Sequence, residues 1–460
     1  MRIDPVIFRQ YDIRGTVGAD LTVEVARAVG AAVGSESAQR LGRPATLAVG
    51  RDNRPSGEAL QAALAEGLVG TGATVLDVGL VPTPALYFAI HHLQADGGVQ
   101  VTGSHNPPEM NGFKMVLGGL PFAGDDIQVL LARIQGDRFA TGRGARSQHE
   151  VLAAYRREIV SRIGPLDRPL NVVVDCGNGV PGLTYPDALE ALGARVDRLF
   201  CESDGSFPHH HPDPTVLENL RDLQARVRLV EADAGIAFDG DGDRIGAVDE
   251  GGHVLFGDQI LALLGADLVR RLGRGREVIF DVKCSDALVE ALESAGAKPT
   301  MWMTGHSFIK RKMKESGATL AGEMSGHMFF GPPDYLGFDD ALYAAARLLK
   351  ILAGQPKPLS ALRGALPQYV STPEIRVDCP EQRKLAVVKA AAAYFAARYP
   401  TVTIDGVRWR TGEGWGLIRS SNTQPLLVLR FEAKTEPALA AIRREADKVL
   451  RAEGVGGLGP

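Results

Sequence analysis

The chain has 460 residues, 45% of them apolar and 23% charged, with a formal net charge of -4 at pH 7. That length asks for three or four hydrophobic cores, and the weak net charge excludes a sequence-wide basic field for nucleic acid or anionic lipid. The first eight residues carry an acid and a proline where a secretory signal needs an apolar core, and no run of eighteen apolar residues occurs. The four cysteines, Cys176, Cys201, Cys284 and Cys379, lack the paired spacing of a zinc site or a disulfide framework. A cytoplasmic protein, neither exported nor membrane-bound, is the expectation.

In chain order the same grammar recurs three times. An apolar strand ending in polar residues opens each unit: TLAVGRDNR from Thr46, NVVVDCGNG from Asn171 and EVIFDVKCSD from Glu277. A helical stretch follows and closes on L-x-x-x-G-A, at Leu68 to Ala73, Leu189 to Ala194 and Leu292 to Ala297, where glycine suits a left-handed cap. After a second strand, a third strand runs into a loop: GGVQVTGSHNP from Gly97, GIAFDGDGD from Gly235 and GATLAGEMSGH from Gly317. Strands alternating with helices of this length predict α/β units with largely parallel sheets. Ligands in such sheets gather beyond the strand carboxyl ends, so three different loops should face one site. After about residue 366 prolines punctuate a linker, and GWGLIRSSNTQPLLVLRF predicts a strand-turn-strand before a last charged helix from about Pro437 to Arg451. The expected division is 1–150, 151–253, 254–366 and 367–460.

The loops carry the chemistry. In DGDGDR, alternation along an extended backbone turns the carboxylates of Asp239, Asp241 and Asp243 the same way. Three such charges call for a hard cation, and magnesium leaves room for a phosphate oxygen. An EF-hand calcium loop is the rival, since Glu250 is twelfth from Asp239. Yet Arg244 stands where that loop needs glycine, and a strand precedes where it needs a helix. TGSHNPP places Ser104 at a strand end, with His105 and Lys114 near enough to meet a phosphoserine's charge. Glu323, Ser325 and His327 in GEMSGH offer groups able to bridge sugar hydroxyls. Arg419, Ser421, Asn422 and Thr423 suit a phosphate that does not react. Each string alone also reads as an ordinary polar turn.

Together these segments resemble the α-D-phosphohexomutase superfamily, and most closely its bacterial phosphomannomutase/phosphoglucomutase branch. FRQYDIRG, TGSHNPPEMNGFK, AFDGDGDRIG, TGHSFIKRKMKE, GEMSGH and RSSNTQP are similar to that branch and fall in its order almost from end to end. The resemblance implies three similar α/β domains with mixed, mostly parallel sheets and a smaller C-terminal α+β domain around a central cleft. It implies interconversion of hexose 1- and 6-phosphates of mannose or glucose, through phosphorylated Ser104 and a hexose 1,6-bisphosphate that turns over in the cleft. Ser104, Asp239, Asp241 and Asp243 would hold Mg2+, with Arg244 beside the reacting phosphate and Lys114 and His306 assisting proton transfer. Tyr11, Arg14 and Lys283 would contact substrate; Glu323, Ser325 and His327 would form the sugar loop, and Arg419, Ser421, Asn422 and Thr423 the distal phosphate loop. A small phosphosugar is the expected partner, with no nucleic acid or membrane, and a monomer is expected. The nearest alternative is a phosphoglucosamine mutase, whose sugar loop typically carries glutamine where this chain has Met324.

Overall fold

The computed structural model describes residues 3–421 and 425–457, which form four sheets. In each of the first three sheets the strands that open the units are central: Thr46–Arg51, Asn171–Asp175 and Glu277–Asp281. Each pairs in parallel with the second strand of its unit on one side (Thr74–Leu80, Arg195–Leu199, Lys298–Trp302) and with the third on the other (Gly97–Val101, Ala234–Phe238, Leu320–Gly322). The central strands are buried along nearly their whole length, as a strand covered on both faces must be.

Parallel pairing stops at this core, apart from Ala145–Gln148 on the outer edge of the first sheet. Beyond each third strand the chain doubles back as an antiparallel strand, Met110–Leu117, Ile245–Asp249 and Met328–Phe330. A tight hairpin is therefore forced at the carboxyl end of every third strand.

The three L-x-x-x-G-A segments close their helices alike. Gly72, Gly193 and Gly296 take φ of 92°, 104° and 91°. The N–H of the alanine that follows donates to the leucine carbonyl five residues back, at 3.4, 3.1 and 2.8 Å. A side chain at that φ would be strained, which is why glycine marks the position.

The fourth sheet is antiparallel, with Gly414–Ser420 and Leu426–Ala433 at its centre, and packs against Glu381–Ala396 and Glu436–Ala452. One apolar core runs through the second and third domains and takes in the helix Thr83–His92 from the first; the C-terminal domain has its own core around Phe395, Trp409 and Phe431. No helix among the described residues is long and apolar enough to cross a membrane.

Candidate active site

The three hairpins at the ends of the third strands meet. Ser104 lies in the first, buried and held at φ +50°, an uncommon setting for a residue other than glycine. Its Oγ donates to Asp239 Oδ2 at 2.8 Å, bridging the first and second domains.

Arg54 holds the serine loop in shape. Its guanidinium donates to the carbonyls of Ser104 at 2.8 Å and Met110 at 2.9 Å, and also to those of Asn106 and Pro107. Asp52 anchors it at 3.1 Å. A Cβ on Gly103 would lie 2.4 Å from that guanidinium, so only glycine fits there. Sequence reasoning missed Arg54; its only signal was a charged cluster, RDNR, at the end of the first unit's opening strand.

Asp239, Asp241 and Asp243 are fully buried, with one oxygen of each within 4.8 Å of the others. Lys114 Nζ donates to Asp241 at 2.7 Å and also to Asp243. Burial, then the two neighbouring carboxylates, pushes Asp239 well above the usual carboxylate range. Burial opposes charge on Lys114 and Asp241 too, but their mutual attraction outweighs it, raising the lysine and lowering the acid.

One ammonium thus faces three clustered acids, and Asp241 Oδ1 and Asp243 Oδ1 are buried with no hydrogen-bond partner among the described residues. Oxygen donors left so fit a hard divalent cation. Glu250, by contrast, turns away to accept from the Ser360 backbone N–H at 3.1 Å, which removes the last ligand of an EF-hand.

The third loop meets the second from the other side. Arg244 and His327 pair as an antiparallel bridge, and Arg244 Nε donates to His327 Nε2 at 3.0 Å. A Cβ on Gly326 would fall 2.4 Å from Ile245 O, so the loop packs backbone to backbone there. Glu323 is buried and accepts from the Gly305 N–H, while Ser325 between them is partly exposed.

His306 opens the helix His306–Ser316; its Nδ1 is buried without a partner among the described residues, and burial, then Lys310, pushes the imidazole well below its ordinary value. Tyr11 reaches across from the first domain, donating to Thr304 O at 2.9 Å. Arg14 pairs with Asp12 at 2.6 Å and donates to Gly103 O at 3.1 Å.

The C-terminal domain closes the ring. Asp405 Oδ2 accepts from Thr304 N–H at 3.0 Å and from Arg419 Nε at 2.9 Å. Arg419 Nη2 is buried with no partner among the described residues. Lys283 lies 3.4 Å from Glu374, and Ser421 is buried with its carbonyl on Lys384 at 2.7 Å. Asn422 and Thr423 lie outside the described residues.

A buried hydroxyl set against three buried carboxylates, with arginines and lysines brought in from all four domains, is suited to phosphoryl transfer. The comparisons agree. Models of the phosphoglucomutase/phosphomannomutase α/β/α domains I, II and III match residues 5–141, 154–252 and 256–369, and that of the C-terminal domain matches 374–449. The chain is 49% identical over 448 residues to a phosphomannomutase/phosphoglucomutase of Pseudomonas aeruginosa, covering 97% of this chain and 96% of that one. It is 45% identical over 449 residues to a phosphoglucomutase of Neisseria gonorrhoeae, covering 96% of each. A crystal structure of a phosphoglucomutase/phosphomannomutase family protein from Burkholderia thailandensis superimposes with a TM-score of 0.92 at 45% identity, over the whole of both chains. The chain belongs to the phosphoglucomutase/phosphomannomutase family of the α-D-phosphohexomutase superfamily, and is an enzyme that moves a phosphoryl group within a hexose phosphate.

Proposed function

We propose that Ser104 carries the transferred phosphoryl group and that the substrates are the 1- and 6-phosphates of mannose and glucose. The carrying observation is the 2.8 Å contact of Ser104 Oγ with Asp239, at the junction of two repeats. Relatives named for both sugars support the substrate choice.

Asp239, Asp241, Asp243 and Ser104 would hold Mg2+, which when bound neutralises charge on the transferring phosphoryl oxygens. The chain's own groups do the rest. Arg419, through an Nη2 with no partner among the described residues, and Lys283 hold the phosphate that does not react, while Glu323 and Ser325 take adjacent sugar hydroxyls. The sugar's free hydroxyl attacks the phosphorus of phospho-Ser104, so the P–O bond to Ser104 Oγ breaks as the new one forms. His306 is neutral with a free Nδ1, suited to take the hydroxyl's proton, and the Lys114 ammonium faces the loop that Ser104 leaves on. The resulting hexose 1,6-bisphosphate turns over within the site, and its other phosphate returns to Ser104. The reaction conserves phosphate, and the enzyme works as a monomer in the cytoplasm.

Ser104→Ala should lower turnover of glucose 1-phosphate by at least about a thousandfold while the fold survives, since one loop hydroxyl adds little stability. Intact mass before and after a hexose phosphate should show one phosphoryl group coming and going. Activity near the parent's would sink the assignment. Turnover of glucosamine 1-phosphate above that of both neutral sugars would replace the substrate choice.

A further inference from the structure

A line of buried polar side chains leads away from Arg244 into the third domain, and none of it beyond His327 belongs to the site described so far. An arginine Nε carries only a hydrogen, so in the 3.0 Å contact between Arg244 Nε and His327 Nε2 the imidazole nitrogen must be the acceptor. The ring's proton therefore sits on Nδ1. That atom faces acceptors only, Asp339 Oδ2 at 3.0 Å and Asp243 Oδ1 at 3.5 Å, close charge contacts that are not aligned as hydrogen bonds.

Asp339 is fully buried and its other oxygen accepts from Lys310 Nζ at 2.9 Å. Lys310 in turn lies over the Tyr87 ring, 4.4 Å from its centroid and 3.3 Å from its hydroxyl. Burial alone would raise Asp339, but Lys310 and His327 hold it well below the usual carboxylate range.

The backbone makes this line rigid. Lys310 stands one helical turn after His306, so both face the sheet from the helix His306–Ser316. Asp339 ends a strand paired with Met328–Phe330, which His327 immediately precedes. Tyr87 comes from the first domain, Lys310, Asp339 and His327 from the third, and Arg244 from the second.

Asp243, His327 and Asp339 also cluster within 4.8 Å, as a metal site would. There, however, Lys310 supplies the positive charge and Arg244 occupies the histidine nitrogen with a free lone pair. A buried ion pair adds little net stability over an apolar pair of the same shape, so stability alone does not account for it.

We propose that Lys310 and Asp339 are positioning residues: they fix His327 with its proton on Nδ1, so that Nε2 holds the Arg244 guanidinium at the reacting phosphate. This rests on Arg244 acting at the reacting phosphate of the reading proposed above, the place that the family resemblance implies for it. Asp339 brings only acceptor oxygens and negative charge to Nδ1, which favours a proton there; an amide could turn its NH2 toward the ring and favour the other tautomer. Lys310 holds Asp339 in place through its other oxygen.

Selective 15N labelling of histidine in the full magnesium-loaded enzyme tests the first half, with the His327 signal assigned by its loss in His327→Asn. A proton on Nδ1 and none on Nε2 is expected; a proton on Nε2 would overturn the proposal whatever the variants do. Kinetics tests the second half. Lys310→Met and Asp339→Asn should each lower kcat by about ten- to a hundredfold, with KM moved less than about threefold, the signature of a misplaced transition-state contact. Lys310→Arg should recover part of that loss.

On an Arg244→Lys background, Lys310→Met should cost less than about threefold more, since the group it acts through is already altered. Losses that multiply in full would show that Lys310 acts elsewhere and overturn the proposal. Should Lys310→Met not fold, Asp339→Asn and the wild-type tautomer still decide. Full activity in Ser104→Ala would sink the donor reading while leaving the tautomer result standing, so the two failures are distinguishable.

Discussion

The joints between domains are built from two different materials. Where the first three domains meet, the helices Thr83–His92, Leu152–Ile163, Gly257–Leu272 and Ala341–Ala353 contribute to a single apolar core, with Leu86, Leu261 and Leu342 all fully buried. Where the third meets the fourth, hydrogen bonds dominate. Arg408 donates to Val282 O at 2.7 Å, Cys284 O at 3.0 Å and Asp286 at 2.8 Å. Glu432 accepts from Asp286 N–H and Trp415 Nε1, each at 2.8 Å, and Arg430 donates to Lys283 O. Among the described residues the apolar cluster there is small, Val282, Trp415 and Leu417 with Met301 packed against them. An apolar core is close-packed and tolerates little displacement, whereas hydrogen bonds to backbone carbonyls can be exchanged for others or for water. The first joint suits the fixed pairing of Ser104 with Asp239, and the second, on the proposed reading, suits a domain that holds the distal phosphate and must admit and release a sugar.

Truncating matched core residues breaks the comparison most sharply. Leu342→Ala, in the shared core, should cost about 2–5 kcal/mol and lower the transition of the first three domains together. Phe395→Ala, whose ring stacks on Trp409 at 3.6 Å in the C-terminal domain, should cost about 3–5 kcal/mol but lower only that domain's transition. Calorimetry reads both; a single transition moved equally by the two variants would mean the second joint is as cooperative as the first.

Next in size is a pH effect confined to the first joint. Asp340 caps the helix Ala341–Ala353 and accepts from the hydroxyls of Tyr155 at 2.9 Å and Tyr335 at 3.0 Å. Burial pushes it up from 3.8 to about 6, its hydrogen bonds notwithstanding. The folded state therefore holds this proton more tightly than the unfolded chain, so the group's contribution is fully present below about pH 4 and lost as pH rises through about 6. The rise corresponds to about 3 kcal/mol. Relative to Asp340→Asn, the wild-type protein should lose about that much stability between pH 4 and 7, in the first three domains only. Parallel pH profiles would remove Asp340 from the account.

What the sequence made legible follows the same physics. The repeat could be read because each helix ends at φ near +90° and each third strand at a hairpin, and both leave glycines and polar residues at fixed places in the chain. The convergence of three acids in one loop was legible since they are neighbours in sequence. Arg54, Lys310, Asp339 and Arg408 were not, because each is a lone polar residue whose meaning lies in partners on other strands and domains. Lys310 meets Tyr87 across 223 positions and Arg408 meets Val282 across 126. The parallel character of the sheets was legible only for the three-stranded cores, since the antiparallel additions follow from turns whose direction the apolar pattern does not encode.

The smallest effect tests how the second joint is tied to catalysis. Asp405 touches both sides of it at the substrate end, accepting from Thr304 N–H and Arg419 Nε through the same oxygen. Held by Nε, Arg419 presents Nη2 elsewhere, and on the proposed reading that is where the distal phosphate binds. Asp405→Asn keeps an acceptor of the same shape but loses the charge. Two consequences oppose each other: the guanidinium is freed from a competing anion, and it is no longer aimed. Aim should dominate, because Asp405 engages Nε and leaves the phosphate-facing nitrogen untouched. KM for a hexose 1-phosphate should therefore rise about tenfold, or about 1.4 kcal/mol, with kcat within about threefold of the parent's. A KM unchanged or lowered in steady-state assays would mean that the joint holds Arg419 without directing it.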